Sequence, residues 1–89
     1  MDELFVRDPN VIAAVVEGKA MLLNLRTWHY LSLNETGERI WDHLADPQSR
    51  RELLGLLLEE FDAPEAVLAE DLDRFLGELT EQGCVIRPQ

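Results

Sequence analysis

The five residues His29-Tyr30-Leu31-Ser32-Leu33, followed at once by Asn34-Glu35-Thr36-Gly37, are what this chain is organised around. They read as the last strand of a small sheet running straight into a helix start. Before them the apolar residues come in short, β-branched runs bounded by turn signals; after them apolar residues recur at helical spacing. At 89 residues only one domain is available, so strands and helices must share a single core.

Residues 1–10 have no sustained period and contain the turn signal Asp8-Pro9-Asn10. They are expected to form a loose lead-in, with Leu4 and Val6 as its contacts to the core. Val11 to Val16 is short, apolar and β-branched, which favours a strand. Glu17-Gly18-Lys19-Ala20 then reads as a two-residue hairpin, Gly18 supplying the positive φ of a type II′ turn. Met21 to Leu25 is the returning strand. Arg26-Thr27-Trp28 makes the second reversal, and Trp28 fits either the turn or the start of the third strand. In that strand His29, Leu31 and Leu33 share one face and Tyr30 and Ser32 the other. A simple meander makes the second strand central and the third an edge, whose free N–H and C=O groups must be hidden or used.

Asn34 is a good N-cap for the first helix, which carries Ile40, Trp41 and Leu44 and ends before Asp46-Pro47. Ser49-Arg50-Arg51-Glu52 has the form of a capping box. The second helix, with Leu53, Leu54, Leu56, Leu57, Leu58 and Phe61, is apolar around much of its circumference and is expected to be the most buried of the three. Pro64 suits the first turn of a third helix over 64–82, striped by Val67, Leu68, Leu72, Phe75, Leu76 and Leu79 and stopped by Gly83. Cys84-Val85-Ile86 packs back on the core or adds a small strand. The layout is α+β and winged-helix-like, a three-stranded antiparallel sheet followed by three helices, as one domain over 1–89.

Charge removes several functions. Eight Lys and Arg stand against 18 Asp and Glu, a net of −10. Half of the acids fall in the last third, where only Arg74 offsets them between residues 59 and 81. Such a surface repels nucleic-acid phosphates and anionic membranes. A third helix displaying Glu65, Glu70, Asp71, Asp73 and Glu78 is a poor DNA-recognition helix. There is no signal-peptide pattern and no apolar run long enough for a bilayer, so a cytoplasmic location is the expectation.

Chemistry-bearing residues are few. Cys84, His29 and His43 have no metal-ligand spacing, and no nucleophile elbow, zinc-protease or phosphate-loop motif occurs. Cys84, in Gly-Cys-Val-Ile after a helix end, reads best as a small buried hydrophobe. Paired acids such as Glu59-Glu60 and Glu70-Asp71 lack the pattern of a calcium loop and read as a solvated face. No catalyst, metal site or cofactor is expected. A peptide binder remains, in which an incoming segment adds as a strand to the open edge and lies against the striped third helix. Most of that stripe is needed for the core, so only its flank nearest the third strand is free for a ligand.

Leu22-Leu23-Asn24-Leu25-Arg26-Thr27, then Tyr30 to Gly37, Ile40-Trp41 and Leu44, resemble the PqqD-like proteins. Glu60-Phe61-Asp62, Asp71-Leu72, Phe75-Leu76, Leu79 and Gly83-Cys84-Val85 continue the likeness over residues 11 to 86. Members of that family are recognition elements for leader peptides of ribosomally made, post-translationally modified peptides. Leu33-Asn34-x-Thr36-Gly37-x-x-Ile40-Trp41 is more similar to the stand-alone proteins of lasso-peptide clusters than to the pyrroloquinoline quinone pathway protein, whose Pro-Glu-Gly turn is absent. Trp28 stands where the family often has Gly.

The resemblance implies a leader pairing antiparallel with the third strand. Trp28, His29, Tyr30, Leu31, Ser32 and Leu33 would supply the ladder and part of the pocket, and Val67, Leu68, Asp71, Leu72 and Phe75 the opposite wall. Asp71 reads equally as a partner for a basic or hydroxyl group and as an exposed helical acid. The implied partners are the precursor's leader peptide, a separate cysteine-protease-like leader peptidase and a macrolactam synthetase. The protein would deliver substrate and perform no chemistry. The alternative is an adaptor for a radical enzyme or another peptide-modification pathway.

Overall fold

A computed structural model describes residues 3–86. Strands β2 (Val11–Val16), β3 (Lys19–Asn24) and β4 (Tyr30–Ser32) form an antiparallel meander with β3 in the centre. The register runs from Val11↔Asn24 to Val16↔Lys19 and from Met21↔Ser32 to Leu23↔Tyr30. Glu17 and Gly18 both have positive φ, 52° and 79°. The hairpin turn is therefore of the I′ kind and not the expected II′, and Glu17 shares the left-handed backbone with the glycine.

Helices α1 (Glu35–His43), α2 (Arg50–Glu60) and α3 (Glu65–Glu81) follow. Their ends obey the sequence closely. The Asn34 side chain accepts from the Gly37 N–H at 2.8 Å, and Ser49 and Glu52 close a reciprocal capping box. Gly83, at φ 71°, ends α3: its N–H donates to the Thr80 carbonyl and that of Cys84 to Leu79, a Schellman arrangement.

Two further expectations are corrected. The lead-in is not loose. Leu4–Arg7 forms β1, which pairs antiparallel with β5 (Gln48–Ser49) and with β6 (Val85–Ile86), giving a second three-stranded sheet. Phe5 is its buried residue, while Leu4 is exposed and Val6 half-buried; Met1 and Asp2 of the expected lead-in lie outside the described residues. Nor is α2 the most buried helix. It buries Leu53 and Leu57 but leaves Leu58 exposed, whereas α3 buries Leu68, Leu72, Phe75, Leu76 and Leu79. The leucines of α2 go nearly all the way round, and one neighbouring surface can cover only one side. The α3 stripe is narrower and, apart from exposed Val67 at its start, lies on the core. The result remains a mixed α+β fold of the expected class, with three helices beside the meander.

Ion pairs on the helical layer fasten helix to helix. Arg39 and His43 of α1 reach Glu60 at the end of α2 at 2.6 and 2.8 Å, and Arg50 of α2 grips Asp73 of α3. The hydrogen bonds from Arg39 and then His43 hold the Glu60 carboxyl below its ordinary range, and the Arg50 guanidinium does the same for Asp73. A depressed carboxyl stabilises the fold above its unfolded-state pKa and loses that contribution as pH falls through the folded-state value. The urea midpoint is therefore expected to hold near neutrality and to decline once pH drops below about 5, into the carboxylate range. Glu60→Gln should flatten that decline. The effect is small because both groups are solvated.

Candidate functional site: a strand edge facing helix α3

In an antiparallel ladder, residues alternate between those bonded to the neighbouring strand and those pointing away. The Leu33 N–H donates to the Ala20 carbonyl at 3.0 Å and the Asn24 N–H to His29 at 2.9 Å. In this register Leu31 faces β3 with its backbone groups, as do the Leu33 N–H and the His29 carbonyl, while the His29 N–H donates to Thr27 Oγ1 at 3.3 Å. The N–H and C=O groups of Tyr30 and Ser32 point outward, where β4 has no strand neighbour among the described residues. Their side chains lie on the outer face of the sheet, with Tyr30 66% exposed, while Leu31 and Leu33 turn toward the core.

A groove of about 260 Å³ lies beside this edge, lined by Ser32, Leu33 and Asn34 on one side and Arg74, Phe75 and Glu78 of α3 on the other. Its floor is apolar, formed by half-buried Leu33 and the buried Phe75 ring. Its helix rim carries charge. Arg74 bridges Glu78 at 2.7 Å and Asp71 at 3.9 Å. The first turn of α1 closes the groove end because residue 37 is glycine. A Cβ there would sit 3.2 Å from Asn34 Oδ1 and 3.3 Å from the Phe75 ring, so the motif Asn34-Glu-Thr-Gly37 both caps α1 and admits the ring.

Of the residues anticipated from the sequence, Ser32, Leu33 and Phe75 meet in this groove. Val67 is exposed and Asp71 half-buried; helical spacing puts both on the same side of α3 as Arg74 and Glu78. Leu68 and Leu72 are core residues with at most 2% exposure. Asn34, Arg74 and Glu78 were not anticipated. Arg74 and Glu78 flank Phe75 in space but fall outside the apolar stripe, and Asn34 enters as the cap of α1.

Asn24 is the other residue that pattern reading passed over. It is buried in β3, and every polar group it has is used. Its Nδ2 donates to the Gln82 carbonyl at 2.9 Å, and its Oδ1 accepts from the Arg26 N–H at 2.9 Å. Its own N–H and C=O engage His29 and Trp28. One side chain thus joins the sheet to the C-terminal end of α3 and shapes the loop before β4, holding the groove walls in relation. A lone Asn after the apolar run of residues 20–23 was the available clue.

Trp28 sits in that loop, not in the strand. It is 70% exposed and has φ 62°. A left-handed conformation costs an L-residue roughly 1–2 kcal/mol, and an exposed ring recovers little of it by packing. Such strain is a pointer to function. Trp28→Gly is expected to raise stability by up to about 1 kcal/mol, because glycine adopts this φ without penalty. Trp28→Ala should not gain. If the ring contacts a ligand, both variants bind it several-fold more weakly; denaturant curves and titrations of the pair separate strain from contact.

The model of the family described as coenzyme PQQ synthesis protein D (PqqD) matches residues 19–85. The chain belongs to the PqqD family. No curated protein matches it. Among solved structures it is similar to TbiB1 in complex with the TbiA(beta) leader peptide, at 25% identity and a TM-score of 0.75, covering 90% of this chain and 93% of that one. It is also similar in fold to a lasso peptide synthetase B1 complexed with the leader peptide, at 24% identity and a TM-score of 0.74, covering 92% and 96%. Within this PqqD-family chain, no group of three or more His, Cys, Asp or Glu side chains among the described residues could hold a metal ion. No helix there is long and apolar enough to cross a membrane. Cys84 is buried, and desolvation pushes its thiol pKa up, which keeps it protonated.

Proposed function

We propose that this chain binds the leader region of a ribosomally synthesised precursor peptide in lasso-peptide biosynthesis. The leader adds as a fourth strand to β4, in the groove against α3, and is handed to a separate, cysteine-protease-like leader peptidase. The observation that carries this reading is the outward backbone of Tyr30 and Ser32, set beside an apolar-floored groove. Backbone pairing supplies affinity that does not depend on sequence, and the groove reads alternate side chains. The leader-peptide complexes of the two similar structures support the same reading. The protein itself is non-catalytic and cytoplasmic, and the peptidase and a macrolactam synthetase are its downstream partners. Trp28, His29 and Leu31 complete the strand side, and Val67 and Asp71 extend the helix wall, with Leu68 and Leu72 supporting it from the core.

The family's PQQ-synthesis description favours a second reading, an adaptor that presents its peptide to a radical enzyme. Titration of the labelled protein with the synthetic leader of the neighbouring precursor tests the first. Saturable binding should shift the amides of Tyr30, Ser32 and residues 71–78. Binding that leaves those amides unmoved rules out strand addition to β4, and no binding by the folded protein rules out that leader.

A further inference from the structure

The meander has two edges. In the register of β2 with β3, Ile12 and Ala14 turn their backbone groups toward β3, so those of Ala13 and Val15 point outward, with no strand neighbour among the described residues. Protected edges carry Pro, an inward charge or a bulge. Val-Ile-Ala-Ala-Val-Val has neither Pro nor charge, and its pairing with β3 is unbroken over all six residues. It also shows apolar surface: Val15 is 73% exposed, and Ile12 and Val16 are about half exposed. Beneath the hairpin, between its inner face and α1, lies a hollow of about 240 Å³ lined by Ala13, Val15, Ala20, Leu33 and Trp41, with Glu38 and Asp42 on its α1 side. The β2 side therefore repeats the plan of the β4 side, an open edge beside a helix.

We propose that the β2 edge is a second strand-addition site. Its occupant is an apolar, extended segment flanked by Lys or Arg, belonging to the enzyme that acts on the peptide held at β4. This rests on the function proposed above, since a domain that only holds a peptide must present it to the protein that transforms it. Charge selects the occupant. Residues 11–33 carry Lys19 and Arg26 against Glu17, while the whole chain stands at −10. An apolar segment can therefore land on the sheet itself, and a flanking cation meets exposed Glu38, beside Asp42, which Arg39 already bridges at 3.1 Å. A second copy fits poorly, because pairing β2 with its own twin would bring the Glu38 carboxylates of both chains to one seam with no cation from β2 to offset them. Spacing fits too, since the two edges are only about 10 Å apart across β3.

The test uses the full chain, the synthetic leader and the purified peptidase that cleaves the same precursor. Val15→Asp changes an exposed side chain. It should leave leader affinity within about twofold and weaken peptidase binding, read by sedimentation without leader, by about tenfold or more. Glu38→Lys should weaken peptidase binding in the same assay. Peptidase binding unchanged in Val15→Asp overturns the proposal. So does a wild-type dimer that Val15→Asp disperses, which would assign the edge to a second copy. A wild type that binds the peptidase through Val15 but takes no leader at β4 would sink the peptide reading and keep the second edge.

Discussion

Ser32→Pro is expected to lower the affinity for an added peptide by about tenfold or more while the domain stays folded. Proline removes the outward Ser32 N–H and puts a ring where the incoming backbone must lie. A hydrogen bond contributes about 0.5–1.5 kcal/mol net, and steric exclusion adds to that. Proline is tolerated on edge strands when its missing N–H faces away from the sheet, as it does here. Leu31→Pro, one residue away, is the control. Its N–H points toward Leu22 on β3, so the same substitution should break the meander and unfold the protein. If Ser32→Pro, shown folded by circular dichroism, binds the leader like the wild type, strand addition at this edge is wrong.

Asn24→Ala should be among the most destabilising single changes, about 2–4 kcal/mol in a domain whose whole stability is on the order of 5–13 kcal/mol. It deletes the donor to Gln82 and the acceptor for Arg26 in a buried setting. The melting temperature should fall by roughly 10–20 °C. Among variants that still fold, α3 is no longer held to the end of β3. Leader binding should then weaken beyond what the unfolded fraction explains. Asn24→Asp is informative as well, since it keeps the acceptor and loses the donor. A loss of stability confined to Asn24→Ala would place the weight on the loop at Arg26 and not on the helix.

The sequence made some of this legible and hid the rest for physical reasons. Strands β2 and β3, the edge position of β4 and the start of each helix follow from rules that act over a few residues, namely alternation, capping and proline placement. Short-range rules offer β6 only as one of two options for Cys84-Val85-Ile86 and cannot assemble the second sheet. β5 and β6 have two residues each, too few to show a period, and their pairing with Leu4–Arg7 depends on distant partners. The groove was anticipated at Ser32, Leu33 and Phe75 because an edge strand and an apolar stripe were both visible. Arg74 and Glu78 stayed hidden because the rotation of α3 about its axis is set by packing, with Gly37 letting the Phe75 ring approach. Trp28 could not be placed because its conformation is one that propensity argues against.

The pairing of β1 with β6 also bears on the order in which the molecule assembles. The hairpin and β4 close through neighbours in sequence and can form early. The β1–β6 ladder joins residues about 80 positions apart, and the Asn24 bond to Gln82 spans 58. Loop closure over such distances must come late, after the entropy of the intervening chain has been lost. The open strand edge is therefore expected to form before its helical wall docks. Reversal of that last step should be the lowest-energy opening of the native protein, so hydrogen exchange at the end of α3 would report how often the groove loosens enough to admit a chain from the side.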